Sequence, residues 1–282
     1  MEKLIDLHTH STMSDGSMTP TEVVRHAKEA GLAAMALTDH DTVAGVRQAM
    51  DEGRRLGIEV VPGIELSAKS ATETHVLGYY IDINNADLSA ALKDILIERE
   101  NRTVRTCQKL NDLGFDVSVE EAKALAPAGV VGRAHFAKLM VNKGYTSSVK
   151  EGFELYFDNG RPAYSGRQNI DRFQAVDLIK NAGGLAFIAH LHLTRMEDDE
   201  LEAFLTELRD YGLDGIEGYY TDYTPPMQAK YMALANKLGL MICGGTDFHA
   251  QMKPHIGIGK GLGDLKIPYS VLAAMKERLG IN

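Results

Sequence analysis

The segment Leu4-Ile5-Asp6-Leu7-His8-Thr9-His10 leads from an apolar stretch directly into two histidines, and it indicates both a fold and a chemistry. Successive side chains of a β-strand point to opposite faces, so His8 and His10 project in the same direction. Two neutral imidazoles on one face suit one divalent ion. An isolated His-x-His pair is more often a surface pair or two hydrogen-bonded core histidines, so it needs support from elsewhere in the chain.

Three further segments place histidine or aspartate where a predicted strand ends. They are Thr38-Asp39-His40-Asp41, Ala189-His190 and Gly245-Thr246-Asp247-Phe248-His249. Because these segments offer imidazole and carboxylate groups but no thiolate, they favour a Lewis-acidic metal for hydrolysis over a structural ion. The recurrence predicts a cluster of metal ions at the carboxyl ends of the strands.

Composition limits the classes of partner. The chain has 282 residues, enough for one large α/β domain or a domain with an inserted module. Its net charge of −9 and pI near 5.6 argue against an extended basic surface for duplex DNA or anionic lipid. A small phosphorylated nucleotide or the end of a short single-stranded RNA stays compatible, because bound metal ions would supply a positive field locally. No obligate protein partner is indicated.

The cellular location of the protein is predicted from the spacing of its cysteines and the length of its apolar runs. Cys107 and Cys243 are far apart and form no CxxC pattern, so we expect two reduced thiols. No apolar run approaches the roughly 20 residues of a membrane span. Met1-Glu2-Lys3 leads directly into the first strand without a signal-peptide pattern, which favours a cytoplasmic location.

The amino-terminal part alternates strand and helix patterns. Thr19-Pro20-Thr21-Glu22 predicts a capped helix start, and the continuous apolar run over 32–37 predicts a buried strand. A second helix is expected from about Asp41, acting as its cap, to Leu56. A third strand over 58–64 then completes a βαβαβ unit.

The polar turn that follows is too short for a helical crossover. A strand over 74–81 is therefore expected to return antiparallel to the third strand. This return would bring His75, at its start, beside Glu65, at the end of the third strand.

Between Asp82 and about Arg167 the pattern changes to helices without strands, predicted over 88–113, 118–125, 133–142 and 149–157. Alternation then resumes, with strands over 185–189, 213–217 and 240–243 separated by helices. The sequence thus predicts a barrel of seven mostly parallel strands from residues 1–82 and 167–282, with a small helical insertion over 83–166 as a cap.

Taken together, four segments resemble the polymerase and histidinol phosphatase (PHP) family: Asp6-Leu7-His8-Thr9-His10-Ser11, Thr38-Asp39-His40-Asp41, Gly63-Ile64-Glu65 and Gly245-Thr246-Asp247-Phe248-His249. Within that family the chain looks like the stand-alone phosphoesterases with a helical insertion after the fourth strand, and Gly132-Arg133-Ala134-His135 fits them. The resemblance implies a distorted (β/α)7 TIM-like PHP barrel. It also implies cleavage of 3′,5′-nucleoside bisphosphates or trimming of short RNA from the 5′ end.

The resemblance further implies two to three divalent ions, manganese, iron or zinc, at the barrel mouth. By analogy, the first metal would be held by His8, His10, Glu65 and Asp247. Glu65 would bridge to a second metal held by His75 and His190, and a third would be held by Asp15, His40 and His249. Asp15 stands where many family members have histidine, and its carboxylate favours manganese or iron over zinc.

One segment departs from the family pattern. The family often has Ala-His-Pro-Gly after the fifth strand, whereas this chain has Ala189-His190-Leu191-His192. His192 would contact phosphate or donate a proton if it points into the mouth, and would be a solvated loop residue if it points outward. The sequence favours the solvated position.

The mechanism we hypothesise is attack of a metal-bridging hydroxide on phosphorus, with the third metal and Arg133 neutralising the non-bridging oxygens. His135, His192 or a metal-bound water could protonate the leaving sugar oxygen, and the sequence does not choose among them. Arg161 and Tyr164, near the exit from the insertion, are weaker candidates for a second phosphate contact.

Two further features of the predicted mouth have competing interpretations. Glu217 either orients a ligating imidazole or is a polar strand exit. Tyr219, Tyr220 and Tyr223 either stack on a nucleobase or pack at the rim of the core.

Three alternatives to nucleotide hydrolysis remain open at this point. A histidinol-phosphate-type phosphomonoesterase is the nearest, but the insertion suggests a larger ligand. A non-catalytic PHP scaffold is less favoured, because every expected ligand position is filled. Amide or ring hydrolysis on a related metal barrel would differ chiefly in lacking the third site.

Overall fold

The computed structural model describes residues 3–70, 72–126, 131–166 and 170–281 of the chain, and one sheet of seven strands organises them. The strands are β1 (Ile5–Asp6), β2 (Ala34–Leu37), β3 (Glu59–Ser67), β4 (His75–Tyr79), β5 (Leu185–Ile188), β6 (Gly215–Tyr220) and β7 (Met241–Gly245). They are hydrogen-bonded in sequence order. β4 runs antiparallel to β3 and β5, and the other neighbouring pairs are parallel. The predicted return of the fourth strand is confirmed.

The first and last strands meet and nearly close the sheet into a barrel. The Leu7 N–H donates to the Gly244 carbonyl (3.1 Å), and Thr9 pairs with Phe248 in an isolated parallel bridge. A side chain at Gly245 would collide with the backbone of His8, with its Cβ only 2.7 Å from the His8 Cα. Glycine at this position therefore allows β7 to approach β1.

Ten α-helices lie within the described residues. They are α1 (Pro20–Glu29), α2 (Val46–Leu56), α3 (Ala86–Asp112), α4 (Val119–Ala124), α5 (Arg133–Asn142), α6 (Val149–Gly152), α7 (Arg172–Asn181), α8 (Asp198–Tyr211), α9 (Pro225–Leu238) and α10 (Ser270–Leu279). α1 begins as predicted, with a reciprocal capping box between Thr19 and Glu22. The predicted start of α2 at Asp41 is wrong. Gly45 precedes the first helical residue, and Asp41 has a left-handed φ of 55° that a helix cannot continue.

The helices between β4 and β5 have a core of their own. Cys107 and Leu110 of α3 pack there with Phe136 of α5 and with Phe157. Phe157 lies in a π-helical turn that continues from α6 and is the one such turn among the described residues. The amino-terminal half of α3 packs instead against the barrel. Its Leu88 side chain belongs to the same group of buried apolar residues as those of α7. α3 therefore contacts both groups of buried residues.

The proposed division into a barrel (1–82 and 167–282) and a cap (83–166) stays a prediction, and its boundary at Arg167 lies outside the described residues. Cys107 and Cys243 are both free and buried. Among the described helices, none combines the length and apolar character needed to cross a membrane.

We predict that Gly245→Ala destabilises the barrel by about 2 to 4 kcal/mol, because the new methyl group must push β7 away from β1. Thermal and urea unfolding measure the effect. Gly166→Ala is the control, since its Cβ would meet nothing closer than 3.7 Å and its exposed backbone needs no left-handed φ. Equal stability of the two variants would contradict the close approach of these strands.

Candidate active site

Nine predicted ligand residues converge at one end of the barrel. His8 and His10 follow β1, His40 follows β2, Glu65 lies in β3, His75 begins β4, His190 follows β5, and Asp247 and His249 follow β7. Asp15 reaches the same place from the loop after β1. Because the strands end together, residues far apart in sequence become neighbours.

Glu65 lies at the centre of this cluster. Its Oε2 atom is 3.3 Å from His8 Nε2, 3.2 Å from His10 Nε2 and 3.0 Å from His40 Nδ1. Its Oε1 atom is 2.8 Å from His75 Nδ1 and 3.1 Å from His190 Nε2. One carboxylate therefore faces imidazoles from four strand ends.

Two further carboxylates flank the centre. Asp247 Oδ1 is 3.3 Å from both His10 Nε2 and His249 Nδ1. Asp15 Oδ1 is 3.1 Å from His249 Nε2, and Asp15 Oδ2 is 3.7 Å from His40 Nε2. His249 thus lies between the two aspartates.

The donor atoms form four groups, each with its atoms within 4.8 Å of one another: His10 with Asp15, His40 and His249; His8 with His10 and Glu65; His40 with Glu65 and His75; and Glu73 with His75 and His190. This partition differs from the three sets implied by the family resemblance. His10, His40 and His75 each belong to two groups, and Glu73 joins the pair that was assigned to the second metal. Asp247 belongs to none of the groups found among the described residues.

Unsatisfied atoms show that the cluster fits divalent ions. His8 Nε2, His10 Nε2, His40 Nδ1 and Glu65 Oε2 are all buried, and none has a hydrogen-bond partner within the described residues. Buried polar atoms are rarely left so, and here they converge on one another. A metal ion would satisfy them, and the nitrogen and oxygen donor set suits manganese, iron or zinc.

The carboxylates are in the charge state that metal ligands need. Burial opposes ionisation of Glu65, but the imidazoles of His40, His75 and His8 hold its pKa well below its usual range. Burial likewise opposes ionisation of Asp247, whose pKa is held low by Lys253 and neighbouring imidazoles. For His10, burial is outweighed by Asp247 and Glu65, which raise its pKa to about 9. Without metal, a proton on His10 offsets part of the negative charge of the carboxylates.

Glu217 orients the first histidine. Its Oε1 atom lies 2.8 Å from His8 Nδ1, and its Oε2 atom accepts the His190 backbone N–H at 2.7 Å. The carboxylate is fully buried, so it fixes the ring with Nε2 directed at Glu65. Of the two interpretations of Glu217 drawn from the sequence, the contact favours orientation of an imidazole.

Strained backbone also marks the site. His190 has φ of 25°, in a region that residues other than Gly, Asn and Asp rarely adopt, and Asp247 has φ of 55°, which aspartate tolerates. The conformation of His190 costs roughly 1 to 3 kcal/mol and persists where the surrounding structure imposes it. The two backbone conformations direct both side chains toward the cluster.

The helical segment supplies one wall of the site. A cavity of about 350 Å³, the cluster cavity, opens at the cluster. It is lined by residues of the cluster together with Arg99, Arg102, Arg133 and His135. Arg99 donates to Asp41 Oδ2 at 2.7 Å and to the His40 carbonyl at 3.3 Å. The left-handed Asp41 is therefore an anchor for α3 rather than a helix cap.

The predicted substrate contacts fall in different places. Arg133 lines the cluster cavity, and His135 does so as a buried ring whose Nδ1 accepts the Gly132 N–H at 2.9 Å. Tyr164 lies against Arg133, whose guanidinium is 5.9 Å from the ring centre, and Arg161 is exposed and does not line the cluster cavity. His192 is half-buried, with its ring packed on Tyr220 and Tyr223 at about 5.4 Å and 5.5 Å.

Sequence reasoning missed three residues of the site. Glu73 precedes His75 by two positions and so shares its side of the chain, a spacing that could have indicated it. Lys253 donates to Asp247 Oδ2 at 2.6 Å, and Arg99 reaches the mouth from the middle of a long helix. No motif distinguishes these two cations from solvated surface residues.

A barrel that gathers carboxylates and imidazoles at its strand ends defines a metal-dependent hydrolase. The model of the PHP domain family matches residues 6–217, and the chain belongs to this family. It is 34% identical over 250 residues to a 5′-3′ exoribonuclease of Haemophilus influenzae, covering 88% of this chain and 91% of the relative. A 3′,5′-nucleoside bisphosphate phosphatase of Chromobacterium violaceum is 33% identical, covering 87% of each chain.

Two further proteins extend this comparison. A phosphoribosyl 1,2-cyclic phosphate 1,2-diphosphodiesterase of Eggerthella lenta is 33% identical, covering 89% of this chain and 97% of the relative. The solved structure of an amidohydrolase from Chromobacterium violaceum, with bound sulfate, superposes with a TM-score of 0.85 at 31% identity and covers 95% of this chain and 96% of that one. The chain is thus a PHP-type phosphoesterase that hydrolyses phosphoric esters.

We predict that Glu217→Gln weakens binding of Mn²⁺ by about 10- to 100-fold, because the amide no longer fixes the His8 ring as a carboxylate does. Calorimetric titration of the metal-free protein with Mn²⁺ measures the affinity. Glu207→Gln, exposed on α8, is the control and should bind as the wild type does. Unchanged affinity in Glu217→Gln would exclude a role in positioning His8.

Proposed function

We propose that this phosphoesterase acts on nucleotides, converting a 3′,5′-nucleoside bisphosphate to a nucleoside 5′-monophosphate and phosphate, and trimming short RNA from the 5′ end. The observation that carries the proposal is the Glu65 carboxylate, whose Oε2 atom faces three imidazole nitrogens at 3.0 to 3.3 Å and has no hydrogen-bond partner among the described residues. Such an arrangement is suited to divalent ions.

The metal ligands in this proposal are His8, His10, Asp15, His40, Glu65, His75, His190, Asp247 and His249, with Glu73 beside His75. We infer two to three ions, and the carboxylate of Asp15 in place of imidazole favours manganese or iron. Ions held there would neutralise phosphate charge and lower the pKa of a water molecule.

The cavity walls would bind and orient the ester. Lys253 and Arg99 bring positive charge to a chain whose net charge is −9, and Arg133 adds a guanidinium from α5. A guanidinium can hold two phosphate oxygens at once, which fixes the orientation of phosphorus. Five carboxylates line the same cavity, so these cations would favour an anionic substrate together with the divalent ions held by those carboxylates.

His135 would contact the leaving oxygen as a neutral donor. Burial lowers the pKa of its imidazole, and the Gly132 N–H occupies its Nδ1 atom. The neutral ring therefore carries its proton on Nε2. In this position it can donate a hydrogen bond to the sugar oxygen as the phosphorus–oxygen bond breaks.

The relatives favour nucleotides over a small amino alcohol phosphate. One relative is named a 5′-3′ exoribonuclease and another a 3′,5′-nucleoside bisphosphate phosphatase. The cap supports the same class, because it adds Arg133, His135 and Phe153 to the cavity and so provides contacts for a ligand larger than histidinol phosphate.

We expect the manganese-loaded protein to hydrolyse 3′,5′-bisphosphates and 5′-phosphorylated dinucleotides with kcat/KM at least about tenfold above that for histidinol phosphate. Phosphate release and chromatography of the products measure this. Preference for histidinol phosphate, or for a phosphoribosyl cyclic phosphate, would contradict the proposed substrate class.

Arg133→Met should lower kcat/KM for the bisphosphate by about 10- to 100-fold, because a charge-assisted phosphate contact is lost. Lys138→Met is the matched control, since Lys138 is an exposed cation on the same helix and lines no cavity near the cluster. Equal activity of the two variants would remove Arg133 from the proposed site.

A further inference from the structure

A second cavity adjoins the cluster cavity. It has a volume of about 490 Å³, and five residues form the wall that the two cavities share: Glu73, Arg102, Arg133, Phe153 and Leu193. Thr74, which immediately precedes the predicted ligand His75, lines the second cavity as well. A ligand bound at the cluster can therefore extend directly into this space.

Three cations that make no ion pair among the described residues line the second cavity. Lys69 and Arg195 lie on one side and Arg133 on the shared wall, and none of the three makes an ion pair within the described part of the chain. The acidic residues of the lining are Glu73 and Asp158, and Glu73 lies 3.8 Å from His75 Nε2, on the side of the cluster. In a chain of net charge −9, unpaired cations gathered at one cavity favour an anionic ligand.

Two buried hydroxyl groups also line this cavity. Thr74 is 3% exposed and Ser165 is 7% exposed. Neither Thr74 Oγ1 nor Ser165 Oγ has a hydrogen-bond partner in the ranges that the structure describes. Since buried hydroxyls are normally hydrogen-bonded, both are available to a ligand that brings acceptor oxygens.

Aromatic side chains hold the guanidinium on the shared wall. The Arg133 guanidinium lies 5.6 Å from the ring centre of Phe153 and 5.9 Å from that of Tyr164, and it donates to the Phe157 carbonyl at 3.3 Å. These contacts restrict the side chain without neutralising its charge. Arg133 can thus serve ligands in either cavity.

We propose that the second cavity binds a second phosphate of the substrate, adjacent in the nucleotide to the ester hydrolysed at the cluster. The inference rests on the proposed function and adds Lys69, Thr74, Ser165 and Arg195 as contacts. Free cations together with unpartnered hydroxyl donors match phosphate oxygens. The second phosphate is either the 5′-phosphate of the same nucleoside or the phosphate on the far side of the next nucleoside.

The test compares substrates that differ only in the second phosphate. For the manganese-loaded wild type, we expect kcat/KM for a 3′,5′-bisphosphate to exceed that for the 3′-monophosphate by at least about tenfold. The double variant Lys69→Met/Arg195→Met should lower this ratio by about tenfold, whereas the control Lys138→Met should keep it. Both changes are at exposed positions, so folding is not at risk.

The hydroxyls are tested separately by Thr74→Val and Ser165→Ala. Calorimetric binding of a nucleoside 5′-monophosphate to the manganese-loaded protein should weaken by about threefold or more in each variant, relative to binding of inorganic phosphate. Circular dichroism verifies that each variant is folded. Unchanged relative affinity in both variants would exclude these hydroxyls from the site.

Two isomeric dinucleotides identify which phosphate is bound. One carries its terminal phosphate at the 5′ end and the other at the 3′ end. Faster hydrolysis of either isomer than of the unphosphorylated dinucleotide supports the inference and locates the second phosphate. Equal rates for all three, or an unchanged ratio in the double variant, overturn it. If no nucleotide is hydrolysed at all, the proposed function fails instead.

Discussion

The Glu65 carboxylate is the interaction on which the rest of the site depends. It is almost fully buried and ionised, a state that is costly unless positive partners compensate it. Five imidazoles face it, from the ends of β1, β2, β4 and β5, and the raised pKa values of His8, His10 and His190 favour the charged form of those three rings. The strand ends must therefore stay in register. The close approach of β7 to β1 at Gly245, beside His8, keeps the barrel nearly closed.

The helices between β4 and β5 bring most of the positive charge to this centre. The strand ends supply donors for metal ions, while most of the cations around them come from α3 and α5. The buried pair of Arg99 with Asp41 links α3 to the backbone of His40, so the cap and the cluster share an anchor. Hydrolysis of nucleotide esters would thus use metals held by one part and phosphate contacts from the other.

Much of the fold could be predicted from the sequence, because strands and helices depend on local patterns, and the resemblance to the PHP family implied the set of ligand residues. Apolar runs ended by histidine or aspartate located the strands, and the short turn before His75 predicted its antiparallel return. The start of α2 could not be predicted, because Asp41 adopts a left-handed φ to bind Arg99, 58 residues away. A capping preference is read from neighbouring residues only, so it carries no information about a partner so distant in sequence.

The grouping of the donors was harder to predict than their identity. A motif indicates which residues can bind metal, but side-chain rotation decides which nitrogen of His10 or His40 faces which carboxylate. Arg99 and Lys253 carry no sequence signal, since a cation on a helix or loop is usually solvated. The second cavity arises only when the loop before β4 meets the end of the cap, so no linear pattern indicates it.

The metal content of the purified protein tests the central claim most directly. Elemental analysis of the wild type and of Glu65→Gln, after equilibration with Mn²⁺ and removal of free metal, reports how many ions the cluster holds. We expect about two or more equivalents in the wild type and a loss of at least one in Glu65→Gln, where the shared carboxylate is neutralised. Less than one equivalent in the wild type, or equal content in the variant, would contradict a metal centre built on Glu65.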